Sequence, residues 1–81
     1  MSERNTRVKK VYVRVDSERR GSGEIVPLKV SWHDGRSWNI DRVLHTCVSH
    51  DGEFEGIRYT VLIGSAEKYI YRAGHVWYVM A

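Results

Sequence analysis

The sequence predicts an all-β domain, either a small barrel or a strongly curved antiparallel sheet of five to six strands. Three observations lead to this fold class. Apolar residues recur at every second position, which is the periodicity of a half-buried strand. Short signals built on glycine divide the chain into segments of strand length. No window shows the 3.6-residue periodicity of an amphipathic helix.

The first strand is predicted from the alternation of valines with polar or aromatic residues. These valines are Val11, Val13 and Val15. A polar loop, S-E-R-R-G-S-G-E, follows over residues 17–24. A second strand then places its apolar residues on one face. They are Val26, Leu28, Val30 and Trp32. Pro27 lacks a backbone N–H, so we expect it at the start of this strand or on a sheet edge.

The stretch W-H-D-G-R-S-W, residues 32–38, combines a hairpin signal with two tryptophans. Asp34-Gly35 predicts a tight turn, because glycine adopts the positive φ that such turns require. We expect Trp32 and Trp38 to face each other across the hairpin and to belong to the core. An exposed pair would instead indicate a binding site.

The return strand is predicted from Arg36 to about Val48, with one irregularity. Strict alternation would bury Arg42, whereas a bulge near Asp41 turns Val43 inward and bends the strand. Such bends allow a short sheet to curl into an SH3-like barrel. An acidic loop follows over residues 49–56, and the last three strands are predicted at 57–63, 68–72 and 75–80.

Length and composition predict a single domain over residues 1–81, with residues 1–6 as a disordered tail. Cys47 is the one cysteine, so no internal disulfide forms. The N-terminus does not resemble a secretory leader, and no apolar run reaches the roughly 18 residues of a membrane span. These features favour a cytoplasmic setting without membrane contact.

The net charge of +3 is unevenly distributed. Residues 1–20 hold seven basic and three acidic residues, a balance of +4, so residues 21–81 carry −1. The excess positive charge therefore lies in the N-terminal arm. Such an arm can serve solubility as well as phosphate binding.

Catalytic and metal-binding patterns are weak in this chain. Ser49-His50-Asp51 contains the residue types of a hydrolase triad, but neighbouring side chains on an extended backbone point to opposite faces. His45, Cys47 and His50 match no established zinc spacing and lack a second cysteine pair. No phosphate-binding glycine loop is present. We therefore expect no enzyme activity, no cofactor and no metal.

A surface is the remaining functional candidate. The alternation places cations and a tyrosine on outward strand positions, where they could bind phosphates and stack bases of single-stranded nucleic acid. The candidate residues are Tyr12, Arg14, Lys29, Arg58, Lys68 and Arg72. The alternative is a protein interaction module or a homodimer, which would use an exposed sheet edge or the surface of Tyr69, Tyr71 and Tyr78.

Three segments, V-S-W-H-D-G-R-S-W-N-I-D-R-V-L, Y-T-V-L-I-G and H-V-W-Y-V, resemble a family of small uncharacterised bacterial proteins. The resemblance covers about residues 27–79 and consists mainly of strand and turn residues. It implies a small SH3-like β domain. Because some members are encoded beside error-prone DNA polymerases, it also implies an accessory role in DNA repair. The family has no established catalytic residues to assign here.

Overall fold

The computed structural model describes residues 9–49 and 51–81, which form seven strands and contain no helix. The predicted tail, residues 1–6, lies outside these ranges. The strands are β1 (Lys10–Arg19), β2 (Ile25–Ser31), β3 (Ser37–Asn39), β4 (Arg42–Val48), β5 (Ile57–Ile63), β6 (Ala66–Ala73) and β7 (Val76–Met80). The all-β prediction is confirmed, but the predicted count of five to six strands is wrong. No helix in the described ranges is long and apolar enough to cross a membrane.

The strands form one antiparallel sheet in the order β3-β2-β1-β7-β6-β5-β4. Strand β1 bends within it: residues 10–13 pair with β7, while residues 14–19 pair with β2. A register shift between Asp16 and Ser17 marks an unpredicted bulge, and β1 extends into the predicted loop. The two halves of β1 thus pair with different neighbours, and the sheet curls into a half-barrel.

The seventh strand arises because the predicted return strand is divided. The Ile40 N–H donates to the Leu28 carbonyl over 2.8 Å, whereas the next N–H, that of Asp41, donates to the Leu62 carbonyl over 2.8 Å. The backbone thus changes its partner from β2 to β5 between adjacent residues. Val43 turns inward as predicted, and a register shift follows it before His45.

The core lies on the inner, concave face of the sheet. Its buried members are Val30, Tyr59, Val61, Ile70 and Trp77. Partly buried aliphatic residues of β1, β4, β5 and β7 surround them, including Val13, Val43, Ile63 and Val79. Alternation along the predicted strand 57–63 places Ile57, Tyr59, Val61 and Ile63 on one inward face, and this prediction is confirmed.

Strand β6 presents the face opposite to the one predicted. Ile70 lies in the core opposite Tyr59, so Lys68 and Arg72 share this inner face, and Tyr69 and Tyr71 face outward. The sequence places both cations outward, which is wrong. Both faces of β6 carry large apolar groups, so only its register with β5 decides between them.

Candidate binding groove

An open groove of about 750 Å³ runs along the inner face of the half-barrel. Residues of β2, β3, β5, β6, β7 and the β2–β3 turn line it. They are Val30, Trp32, Arg36, Trp38, Ile63, Glu67, Lys68, Tyr69, Ile70, Tyr71, Val79 and Met80. A groove of this volume, with a mainly apolar lining and few charged groups, has the composition of a binding site.

The groove exists because β6 and β7 separate. They pair only from Tyr71 with Tyr78 to Ala73 with Val76. Beyond that point β7 stays paired with β1 as far as Met80, and β6 stays paired with β5 as far as Ala66. Each strand follows its other neighbour as the sheet twists, so a cleft opens between them.

The two tryptophans line this groove and do not form the predicted cross-strand pair. Trp38 lies opposite Val30, while the Trp32 N–H donates to the Arg36 carbonyl over 2.8 Å. Trp38 is 38% exposed and Trp32 is half-buried. Neither is a buried core residue, so the prediction that both belong to the core is wrong. The turn between them positions residues that line the groove.

The β2–β3 turn that carries these residues is fastened by Asp34. Its carboxylate accepts from the Arg36 backbone N–H over 3.0 Å and from the Arg36 Nε over 2.7 Å. These bonds hold the pKa of the Asp34 carboxyl below its ordinary value, the backbone N–H contributing most. The Arg36 guanidinium lies 5.5 Å from the centre of the Trp38 ring, so the ion pair and the ring form one rim.

The charged side chains of the groove are few. Arg36 is paired with Asp34, while Lys68 forms no ion pair with any residue in the described ranges. Glu67 belongs to the same strand, but alternation places its side chain on the outer face. Inside the groove, Lys68 is therefore the cation available to a ligand.

The structure divides the six predicted nucleic-acid contacts between two faces. Tyr12, Arg14 and Lys29 face outward on β1 and β2, and Arg58 faces outward on β5. The two cations of β6 face inward, as described above. The six residues therefore do not form one surface.

The Arg72 side chain is hydrogen-bonded to other parts of the protein. Its Nε donates to the Tyr59 hydroxyl over 3.2 Å, and a terminal nitrogen donates to the Gly74 carbonyl over 3.0 Å. The Tyr59 hydroxyl in turn donates to the Ile25 carbonyl over 3.1 Å. This chain of bonds ties β6 to β5 and to the start of β2, so Arg72 stabilises the fold.

Arg58 is enclosed by aromatic rings on the outer face. Its guanidinium lies 4.6 Å from the centre of the Tyr69 ring and 5.0 Å from that of Phe54. Desolvation lowers the pKa of Arg58, but the neighbouring Cys47 and Tyr69 raise it, and the net direction is upward. These contacts leave Arg58 less accessible to a phosphate than its sequence position suggests.

The acidic loop covers part of the outer face, which the sequence did not predict. Phe54 packs edge-on against Tyr71, and Tyr71 stacks on Tyr78 with the ring centres 4.9 Å apart. Lys10 forms an ion pair with Glu55 from the side of β1. Tyr71 and Tyr78 are buried as a result, so the predicted Tyr69/Tyr71/Tyr78 surface is reduced to Tyr69.

The histidine–cysteine pattern gains no support as a metal site. His45 and Cys47 lie at alternate positions of β4, and Cys47 is half-buried opposite Arg58. The third member, His50, lies outside the described residues. Within the described ranges, no group of three His, Cys, Asp or Glu side chains is placed to hold a metal ion.

No family model matches this chain, and no curated protein or solved structure matches it either. Its function is therefore inferred from its own geometry. Sequence reasoning singled out Trp32 and Trp38 as packing residues and missed Arg36, Ile63 and Met80 in the groove. Two tryptophans beside an arginine in one short hairpin were the available signal.

Proposed function

We propose that the chain is a non-enzymatic interaction module whose groove binds a segment of another protein. The observation that carries the proposal is that the half-buried Trp32 and the exposed Trp38 both line an open apolar groove of about 750 Å³. Tryptophan is enriched among the residues that dominate protein-binding energies, because a large rigid ring buries much area at little entropic cost.

The rim of the groove supports this proposal because it is organised before binding. Asp34, Arg36 and Trp38 are linked by two hydrogen bonds and a cation–ring contact. A partner would not have to order this turn, so less free energy would be lost on association.

The charges of the groove favour protein over nucleic acid as the partner. A nucleic acid requires several cations to replace its counterions. Inside this groove Arg36 is already neutralised by Asp34, so Lys68 is the cation left without an ion pair among the described residues. One cation beside an apolar floor suits a peptide that carries a single acidic side chain.

The proposal is tested by selecting displayed random peptides against the wild-type protein and then measuring the binding of the selected peptides to Trp38→Ala. We expect selected peptides to bind the wild-type protein in the micromolar range and to bind Trp38→Ala about 10–100-fold more weakly. Val48→Ala is the matched control, because Val48 is 52% exposed on β4 and does not line the groove. Equal binding to wild type and Trp38→Ala would refute the proposal.

A second candidate function is the association with single-stranded nucleic acid, as an accessory protein, that the sequence suggests. It is favoured by a smaller groove of about 510 Å³ that Tyr12, Arg14 and His75 line together. Tyr12 is 58% exposed, and Arg14 forms no ion pair within the described ranges. A base could stack on this ring while the guanidinium binds the adjacent phosphate.

Fluorescence anisotropy with labelled single- and double-stranded DNA and RNA tests this second candidate. Binding through phosphates should weaken steeply as salt rises from about 50 to 200 mM and should weaken again in Arg14→Ala. Arg42→Ala is the control, since Arg42 is an exposed cation outside this groove. Flat titration curves at low salt would exclude the nucleic-acid function.

A further inference from the structure

Two strand edges border the cleft, and each carries backbone groups that pair with no strand among residues 9–49 and 51–81. Ile63 at the end of β5 and Ala66 at the start of β6 flank the two-residue turn Gly64-Ser65 and therefore exchange hydrogen bonds with each other. Alternation then directs the N–H and C=O of Lys68 and Ile70 toward β5. Those of Glu67 and Tyr69 are directed to the opposite side, where no described strand pairs with them.

The facing edge belongs to β7. Lys9 and Ala81 exchange both backbone hydrogen bonds at 3.0 Å, which fixes the alternation along the β1–β7 ladder. Val79 therefore bonds toward β1, and the N–H and C=O of Met80 point toward β6. If the register of Tyr71 with Tyr78 ran on, Met80 would pair with Tyr69, but the ladder stops before that pair.

We propose that an extended peptide inserts into this cleft as an additional strand between β6 and β7. The inference rests on the proposed function and specifies its binding mode, in which the peptide backbone completes both open ladders. A strand residue occupies about 160 Å³, given a rise of about 3.3 Å, a strand spacing of about 4.8 Å and a sheet thickness of about 10 Å. The groove of about 750 Å³ thus accommodates about five residues.

The lining specifies the chemistry of the inserted segment. Side chains that point inward would meet Val30, Trp38 and Ile70, so they should be apolar at every second position. Lys68 projects from the same inner face and favours one acidic side chain at an inward position beside it. Side chains that point outward would lie beside Tyr69 and Met80, which are 52% and 43% exposed.

A second copy of this chain fits the open edge of β6 poorly. Symmetric antiparallel pairing about Lys68 would oppose two lysines, and pairing about Glu67 would oppose two glutamates. Pairing about Tyr69 would place Glu67 of one copy opposite Tyr71 of the other. The backbone of Tyr71 is already paired with Tyr78 of β7, so it cannot accept a second strand on that side. The occupant we infer is therefore a segment of a different protein.

Short blocked peptides of about six residues, the usual length of a strand, are the probe. They alternate valine or isoleucine with threonine, and one glutamate replaces each apolar position in turn. Binding is followed by tryptophan fluorescence and by amide hydrogen exchange. We expect the best member to bind in the micromolar range and to protect the amides of Glu67, Tyr69 and Met80.

Two changes separate backbone pairing from side-chain contact. Glu67→Pro removes an N–H that faces the cleft and leaves the β5–β6 bonds intact, and Glu67→Ala is its matched control. We expect Glu67→Pro to bind the peptide about 10-fold more weakly than Glu67→Ala does. The loss should be similar when the peptide amides facing β6 are N-methylated. If Glu67→Pro does not fold, the N-methylated peptides give the answer alone.

The outcomes distinguish the two proposals. Peptide binding that depends on Trp38 but is unchanged by N-methylation and by Glu67→Pro would overturn strand insertion and leave the proposed function standing. Failure of every peptide in the set, together with success of the random selection, would also overturn strand insertion. Failure of both the set and the selection would overturn strand insertion and the proposed function together.

Discussion

The hydroxyl of Tyr78 is held between the two backbone groups of a single residue, Glu55. It donates to the Glu55 carbonyl over 2.6 Å and accepts from the Glu55 N–H over 3.1 Å. Tyr78 is fully buried in β7, whereas Glu55 belongs to the acidic loop. This clamp holds the loop on the outer face of the sheet, so the domain has a second, smaller packed layer outside the barrel.

Removal of this hydroxyl should loosen the loop. Tyr78→Phe keeps the ring stacked on Tyr71 but leaves both Glu55 backbone groups without their partner, so we expect a loss of about 1–3 kcal/mol in the free energy of unfolding. Urea denaturation measures the loss, and amide exchange of residues 51–56 should accelerate. Tyr12→Phe is the control, because Tyr12 is exposed, and its stability should be unchanged within about 0.5 kcal/mol. Equal stability of the two variants would contradict the clamp.

Gly56 should tolerate no side chain. Its φ is +86°, and a Cβ there would lie 2.0 Å from the Arg72 carbonyl oxygen. For alanine at this position, the positive φ alone should lower the free energy of unfolding by about 1–2 kcal/mol. Displacing the β6 backbone at Arg72 should lower it by about 1–3 kcal/mol more. Gly56→Ala should therefore lower the melting temperature strongly. Gly52→Ala, with a φ of +74° and open space around its Cβ, should lose only the first contribution. Similar losses in both variants would show that the close approach to Arg72 is not limiting.

The Asp34 carboxylate should contribute to stability in a pH-dependent manner. Its folded-state pKa is below the ordinary 3.8, so its contribution is complete above about pH 3.8 and disappears as the pH falls through the folded-state value. Asp34→Asn removes the charge, and the stability difference between wild type and this variant should shrink in that acidic window. Denaturant titrations at several pH values measure the difference. A constant difference down to the lowest pH would show that charge is not involved.

Arg72 and Lys68 should behave differently although they lie on the same face of β6. Arg72→Met removes two hydrogen bonds, one of them to the buried Tyr59, and should cost about 1–3 kcal/mol in the free energy of unfolding. Lys68→Met should change stability by less than about 0.5 kcal/mol, since Lys68 is exposed. It should instead weaken binding of acidic peptides. Loss of stability in Lys68→Met would place that residue in the fold and not in the groove.

Periodicity predicted most of the strands because burial on one face imposes alternation directly on the sequence. The inward series of β5, Ile57 to Ile63, is an example. The irregularity near Asp41 was also visible, because an adjacent apolar pair breaks the alternation there. The division of this segment into β3 and β4 was not visible. It depends on which strand supplies the carbonyl that accepts from each backbone N–H, and this changes from β2 at Ile40 to β5 at Asp41.

The candidate site was less predictable than the fold. Trp32 and Trp38 were assigned to a cross-strand pair because they flank a turn, but a pair requires opposite positions, and the register opposes Trp38 to Val30. The cations of β6 were placed on the wrong face because Tyr69, Ile70 and Tyr71 offer apolar groups to both faces. Contacts between distant strands settle such ambiguities.

The sequence by itself determined the all-β class, the positions of most turns and the inner series of β5, because these follow from local periodicity and from glycine at tight turns. The tertiary structure decided the face of β6, the covering of Tyr71 and Tyr78 by the acidic loop, and the cleft between β6 and β7. The physical reason is that the sheet twists and curls as a whole. Where two paired strands diverge depends on the neighbours that each one follows, and no short stretch of sequence contains that information.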